Sequence, residues 1–299
     1  MLGNSTGWPW LLAVTLIPCS LQLVLLVLGP RSPRYLAISL GDTEAARDVL
    51  MLLRDGDTAL VEEEMQEIKE EAEAEKEPDM GVMELLRSEK LRVSLVICIV
   101  MHLSQQLSGM VAIFYYSVTF FKSAGIESNQ AQLANLGVGA IMVGMTLVTI
   151  PLMDRLGRRV LHLLGLVGMC VMSVLIVIAQ NLDIGEFMIA ATLIFVVFFA
   201  VGPGSIPWMI AGEMFTQNSR SAASSVVVFI NWAANLFVSL IFPLVLIPEL
   251  KNFTFLPFAV LLAFFSAFVF LFLPETKGRT VGETSHLLES RGWRNRKYS

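Results

Sequence analysis

Charged residues are scarce in this chain. Asp, Glu, Lys and Arg make up 16% of its 299 residues, while 55% are hydrophobic; an average soluble domain carries about 25% charged residues. This balance excludes an ordinary water-soluble domain, and domain-size arithmetic does not apply where lipid covers apolar surface. Cysteine is nearly absent. Cys19, Cys98 and Cys170 all lie inside apolar runs and read as small buried hydrophobes, which excludes a disulfide framework or a thiolate metal site. His102, His162 and His286 are too far apart in sequence to suggest a metal centre, so neither metal nor cofactor is expected. The N-terminus lacks the basic stretch of a signal peptide. It opens directly into an apolar run, which suggests a missing upstream part. The net charge of −5 says little about partners, because charge is concentrated in loops and one acidic segment; no nucleic-acid partner is expected.

What the chain has instead is seven runs free of acidic and basic residues, at about 8–28, 93–121, 130–153, 160–182, 187–212, 221–248 and 252–273. Each is long enough to cross a bilayer as a helix, so an all-α polytopic membrane protein is expected. With Met1 outside, every Lys and Arg except Lys122 and Lys251 falls on the inner side. The positive-inside rule therefore gives an extracellular N-terminus and a cytosolic C-terminus. The sequons Asn4-Ser5-Thr6 and Asn252-Phe253-Thr254 fall on the outer side as well, although lone sequons close to the membrane are weak signals. Residues 31–92 form the one sizeable soluble segment. Asp42 precedes a helical pattern of Ala45, Ala46, Val49, Leu50 and Leu53, and a second pattern runs through Leu60, Met65 and Ile68 until Pro78 breaks it. A small helical bundle results, with its acidic run as a solvated face.

Residues 187–215 organise the rest. No charge occurs from Phe187 to Gly212, yet Gly202-Pro203-Gly204-Ser205-Ile206-Pro207 sits in the middle. Each proline lacks an N–H and clashes one turn back, so the carbonyls of Phe199 and Pro203 lose their usual helical partners. Such a break survives at membrane depth only when packed in protein or facing a wet cavity. Discontinuous helices of this kind often form the binding sites of secondary transporters; a proline kink used only for packing is the other reading.

Polar groups in the remaining spans are few. Gln105 and Gln106 are adjacent amides at bilayer depth, which mark either a functional site or interhelical hydrogen bonding. Asn231 and Asn235 stand one turn apart and share a helix face, and amides can donate and accept at once, as a polyhydroxylated ligand requires. Tyr115 and Tyr116 mark the outer rim. At the inner face, Asp154-Arg155-Leu156-Gly157-Arg158-Arg159 lies at the same depth as Glu213 and Glu275. A charge latch between arginine forks and carboxylates is one reading; simple positive-inside anchoring is the other.

Taken together, QQLSG (residues 105–109) followed by FYYS, DRLGRR (154–159), GPGSIPW (202–208), NWAAN (231–235) and PETKGR (274–279) resemble the sugar porters of the major facilitator superfamily, and more narrowly the facilitative hexose (GLUT) transporters. The resemblance covers nearly the whole chain. It implies transmembrane helices 6–12: residues 1–30 as helix 6, 31–92 as the intracellular helical domain, 93–273 as the six-helix carboxyl-terminal half and 274–299 as a cytosolic tail. Helices 1–5 are absent. It implies that Gln105, Gln106 and Asn235 bind sugar hydroxyls, that Trp208 and Trp232 line the inner cavity, and that Gly202, Pro203, Gly204 and Pro207 gate the outer side. Asp154, Arg155, Arg158, Arg159, Glu213, Arg220 and Glu275 would form the cytosolic charge network.

Several positions depart from the family pattern. Val111 and Met142 stand where an asparagine is expected, Ala200 where glucose-preferring members carry glutamate, and His102 where a glutamine is usual. Arg31 replaces an acid and reverses one charge of the latch. The expectation is a plasma-membrane hexose uniporter, with glucose and fructose equally open, and not an enzyme. No acid/base pair lies at mid-membrane, which favours facilitated diffusion over proton coupling. Two rivals stand beside it. A non-transporting fragment would associate with an N-terminal half or a full-length transporter. A seven-helix receptor shares the topology, but predicts paired extracellular cysteines that the chain lacks.

Overall fold

The computed structural model describes residues 7–74, 80–123, 125–279 and 281–290; among these, every regular element is a helix or helical turn. The sequon at Asn4, residues 75–79 with the expected break at Pro78, and the last tail residues lie outside the described set. The chain divides into two compact units, Met1–Pro78 and Asp79–Ser299.

In the first unit, α1 (Trp8–Ala13) and α2 (Leu16–Leu28) carry the first apolar run, and no α2 side chain is buried within the protein. A wide helical turn at Tyr35–Ser39 leads to α3 (Thr43–Leu53) and α4 (Thr58–Ala74). Asp42 caps α3, its carboxylate accepting the Ala45 N–H at 3.0 Å. Asp57 performs the same task for α4 by accepting from Ala59 at 3.0 Å. Leu36, Ala46, Leu50, Val61, Met65 and Ile68 make the small core. Ala46, Leu50, Met65 and Ile68 are the expected inner positions. Leu53 and Leu60 are instead exposed, and Val61 takes the inner place on α4. Arg47–Glu62 and Arg54–Glu64 ion pairs tie the two helices across their exposed faces.

The second unit begins with α5 (Val82–Arg87), whose Leu85 is fully buried. α6 (Arg92–Gln106) and α7 (Met110–Ser123) share one apolar run, Arg92–Lys122, broken at residues 107–109. Gly109 turns the chain there with φ +93°, and a Cβ at this position would meet the Phe258 ring at 2.9 Å. α8 (Ser128–Leu156), α9 (Arg158–Asn181) and α10 (Gly185–Val201) follow, with α9 packed against both α8 and α10. Gly165 on α9 lets the Phe198 carbonyl and Pro203 approach closely, and Gly168 accommodates the Phe198 ring, so small residues at this spacing serve packing. α11 (Ile206–Met214) continues the line of α10 beyond the break. α12 (Gln217–Ile241) runs on into a wide-turn segment, Phe242–Leu250, and α13 (Leu256–Phe272) and α14 (Val281–Ser290) complete the unit.

Among the described residues, five stretches are long and apolar enough to cross a membrane: Arg92–Lys122, Ser128–Leu156, Arg158–Asn181, Gly185–Met214 and Asn218–Phe253. Leu16–Leu28 and Leu256–Phe272 are shorter apolar helices. All seven expected runs are therefore helical. A cluster of Phe120, Phe242, Phe255 and Phe258 rings fastens α7, the end of α12 and α13 to one another, with centroids 4.9 Å apart at the closest pair.

Candidate functional site

The break between α10 and α11 does not leave its carbonyls bare. The Gly204 N–H reaches the Phe199 carbonyl at 2.8 Å, and Gln105 Nε2 donates to the carbonyls of Pro203 (2.8 Å) and Gly204 (2.9 Å). The two acceptors that proline chemistry orphans are thus satisfied, one by the chain's own next turn and one by a side chain from α6. Gln105 is buried, and its Oε1 accepts from Asn231 Nδ2 at 2.9 Å.

From there a network spreads across α6 and α12. Gln106 Nε2 donates to Asn231 Oδ1 at 2.8 Å, and Asn235 Nδ2 donates to Gln106 Oε1 at 3.1 Å. Asn231 is fully buried and also lies 3.1 Å from His102 Nδ1. The His102 ring meets Trp208 edge-on, with centroids 5.2 Å apart. Gln105, Gln106 and Asn235 open onto a cavity of about 190 Å³, whose other walls are Met110, Val111, Phe114, Tyr115, Phe199 and Trp208. Typical small-molecule sites measure ~300–1,000 Å³; this cavity is smaller, and Trp208 beside it is 47% exposed. The arrangement offers a polar corner of amides against a broad apolar wall and holds no nucleophile or acid–base pair.

A second constellation gathers at the start of α9 and the end of α11. Gly157, with φ +86°, joins α8 to α9, and the Glu275 carboxylate accepts from the N–H groups of Arg158 (2.9 Å) and Arg159 (3.1 Å). Glu275 therefore caps the N-terminus of α9, where two free N–H groups and the helix dipole favour an anion. Arg158 Nε donates to Glu213 at 2.9 Å, and Thr276 binds the other oxygen of the same carboxylate at 2.5 Å. Arg159 Nη2 donates to the Phe270 carbonyl at 2.6 Å, and Arg220 to that of Phe215 at 3.4 Å.

The sequence matches the family model described as "Sugar (and other) transporter" over residues 1–288. The chain belongs to the sugar transporter family. Within that family it is a major facilitator sugar porter of the facilitative glucose-transporter type. It is 44% identical to solute carrier family 2, facilitated glucose transporter member 4 of Bos taurus, over 95% of this chain and 56% of that protein. It is 40% identical to member 3 of Canis lupus familiaris, over 98% and 59%. Among solved structures it resembles a double-Trp mutant of XylE, with a TM-score of 0.81 and 28% identity, covering 94% of this chain and 59% of that one. It also resembles the proton:xylose symporter XylE bound to 6-bromo-6-deoxy-D-glucose, with a TM-score of 0.77 and 28% identity, over 96% and 61%. The chain thus spans a little over half the length of the relatives it matches.

The fold brings Gln105, Gln106, Asn235 and Trp208 onto one cavity, next to Gly202, Pro203, Gly204 and Pro207 of the break. Trp232 is 58% exposed and lies outside the cavity lining. Of the residues expected in the charge network, Arg158, Glu213 and Glu275 converge with Arg159. Asp154 and Arg155 are exposed and make no side-chain hydrogen bond or ion pair among the described residues. Glu275 meets backbone N–H groups, where the sequence suggested an arginine fork. Two members of the cluster escape sequence reasoning as site residues: Asn231, whose signal was its spacing one turn from Asn235, and His102, visible only as a departure from the family pattern.

Proposed function

We propose that this chain forms the carboxyl-terminal half of a facilitative hexose transporter that works by alternating access. The observation that carries the reading is the amide cluster of Gln105, Gln106 and Asn235, which opens onto a cavity beside Trp208 and is bonded directly to the interrupted backbone of the Gly202–Pro207 segment. Amides supply donors and acceptors in one group, matching vicinal hydroxyls, and the apolar wall suits the C–H faces of a pyranose. The break lets α10 and α11 bend against each other, and its glycines and prolines serve as the outer gate. Trp232 belongs to the wall of the inner passage. Arg158–Glu213 and the Glu275 cap hold α9, α11 and the segment after α13 together at the cytosolic face, with Arg159 and Arg220 fastening neighbouring carbonyls. Asp154 and Arg155 are the part of the inner network available to a facing bundle. The N-terminus lies outside and the C-terminus inside.

A cavity this small is one wall of a sugar path, and flux requires a second bundle facing it. D-glucose, named for the relatives, is the first ligand to test and D-fructose the second. The test is equilibrium binding of labelled D-glucose and D-fructose to the 299-residue chain in lipid nanodiscs, alongside a Gln106→Leu variant. Saturable binding weakened severalfold by the substitution supports the reading. Binding that the substitution leaves unchanged removes Gln106 from the site.

A further inference from the structure

Hydrogen-bond polarity runs one way through the amide cluster, and the helix break sets its direction. The carbonyls of Pro203 and Gly204 can only accept, so the group facing them at 2.8 and 2.9 Å is Gln105 Nε2. Gln105 Oε1 is thereby turned toward Asn231 and takes a hydrogen from its Nδ2 at 2.9 Å. Asn231 Oδ1 then faces Gln106 Nε2 at 2.8 Å, and Gln106 Oε1 faces Asn235 Nδ2 at 3.1 Å. At the far end, Asn235 Oδ1 has no protein donor among the described hydrogen bonds and is available to a ligand. Flipping any one amide sets two N–H groups, or two oxygens, against each other.

The second hydrogen of Asn231 Nδ2 points to His102 Nδ1, 3.1 Å away. Two N–H groups cannot face each other, so Nδ1 is bare and the ring is the neutral Nε2–H tautomer. His102 is 1% exposed and Asn231 fully buried, so water does not substitute for either partner.

We propose that His102 is a positioning residue of the sugar site: as a neutral acceptor it gives Asn231 a second anchor beside Gln105, and so steadies Gln106 and Asn235 in the orientation that presents their oxygens to sugar hydroxyls. The proposal rests on the sugar-site reading above and adds a residue that touches no sugar. With leucine at position 102, one buried Nδ2 hydrogen of Asn231 loses its partner, and Gln105 and Gln106 alone hold the amide. Glutamine at that position restores an acceptor oxygen.

The test uses the 299-residue chain in nanodiscs and reads two signals. Nitrogen NMR of the His102 ring and of the Asn231 and Gln106 side-chain amides reports the relay without any sugar. Titration with D-glucose and D-fructose reports the site. A bare Nδ1 is expected in the wild type. His102→Leu should move both amide signals and weaken sugar binding about fivefold, the scale of one lost hydrogen bond, with His102→Gln recovering both. A protonated Nδ1, unmoved amide signals in His102→Leu, or equal affinity of His102→Leu and wild type each overturns the proposal. Should His102→Leu fail to fold, His102→Gln decides: wild-type-like amide signals support the relay, and displaced ones refute it. A wild type that binds neither sugar defeats the sugar reading, and the amide signals still show whether the relay exists.

Discussion

Gln105 and Gln106 are neighbours in sequence with different valences left to spend. Both N–H groups of Gln105 are committed to the Pro203 and Gly204 carbonyls, and its oxygen accepts from Asn231 at 2.9 Å and from Gln106 at 3.5 Å. A sugar hydroxyl meets Gln105 only by displacing one of these bonds. Gln106 Oε1 accepts one bond, from Asn235, and keeps a second lone pair toward the cavity. The two residues therefore predict different variants. Gln106→Leu should weaken hexose binding by ~0.5–1.5 kcal/mol per lost hydrogen bond, with a smaller drop of the unfolding midpoint in detergent, since one buried acceptor, Asn231 Oδ1, loses its donor. Gln105→Leu should lower that midpoint, because each buried carbonyl left unsatisfied costs ~1–3 kcal/mol. A Gln105→Leu protein as stable as wild type would contradict the role of Gln105 as the partner of the break. Val111, buried on the cavity wall where the family pattern expects asparagine, offers a hydroxyl nothing to bond.

Two helix junctions carry the strain and the fastening of the second unit. At residues 202–207 the sequence makes the interruption inevitable, since Pro203 and Pro207 cannot donate. It also names the carbonyls that lose partners, Phe199 and Pro203. Which groups replace those partners was not readable. Phe199 is served from five residues on, but Pro203 is served by a side chain 98 positions away, and no local pattern encodes such a meeting. The α8–α9 junction is similar. Gly157 has φ +86° and ψ +166°, a region that is essentially glycine's alone, and a Cβ there would lie 2.6 Å from the Glu275 carboxylate. Gly157→Ala should therefore lower the thermal midpoint, with backbone strain alone contributing ~1–3 kcal/mol, and should loosen the cap on α9. An alanine variant melting at the wild-type temperature would show that the junction relaxes freely.

Across the whole molecule, the apolar surface is the larger fact. Side chains along α8, among them Leu133, Leu136, Val143 and Leu147, are two-thirds or more exposed, and α2 buries none of its residues. Such faces are stable only against lipid or other helices. The proposed orientation has a direct check. A membrane-impermeant maleimide added to intact cells should label a cysteine introduced at Lys251, while one at Arg155 reacts only after permeabilisation, in a background lacking the three native cysteines. The reverse pattern would invert the topology drawn from the distribution of Lys and Arg.

By itself the sequence determined the class of the molecule, the number and extent of its apolar helices, the place where one must break, and the family it belongs to. The first three follow from composition, from spacing along one chain and from proline's missing N–H, all of which are local; the family follows from the resemblance of its motifs. The tertiary structure alone decided which amide serves the backbone and which faces the cavity, that Glu275 caps a helix, and that Asn231 and His102 stand at the centre of the cluster. Those assignments depend on the direction of hydrogen bonds between groups about a hundred residues apart. Direction is settled only when carbonyls that can do nothing but accept are brought against amides that can do either.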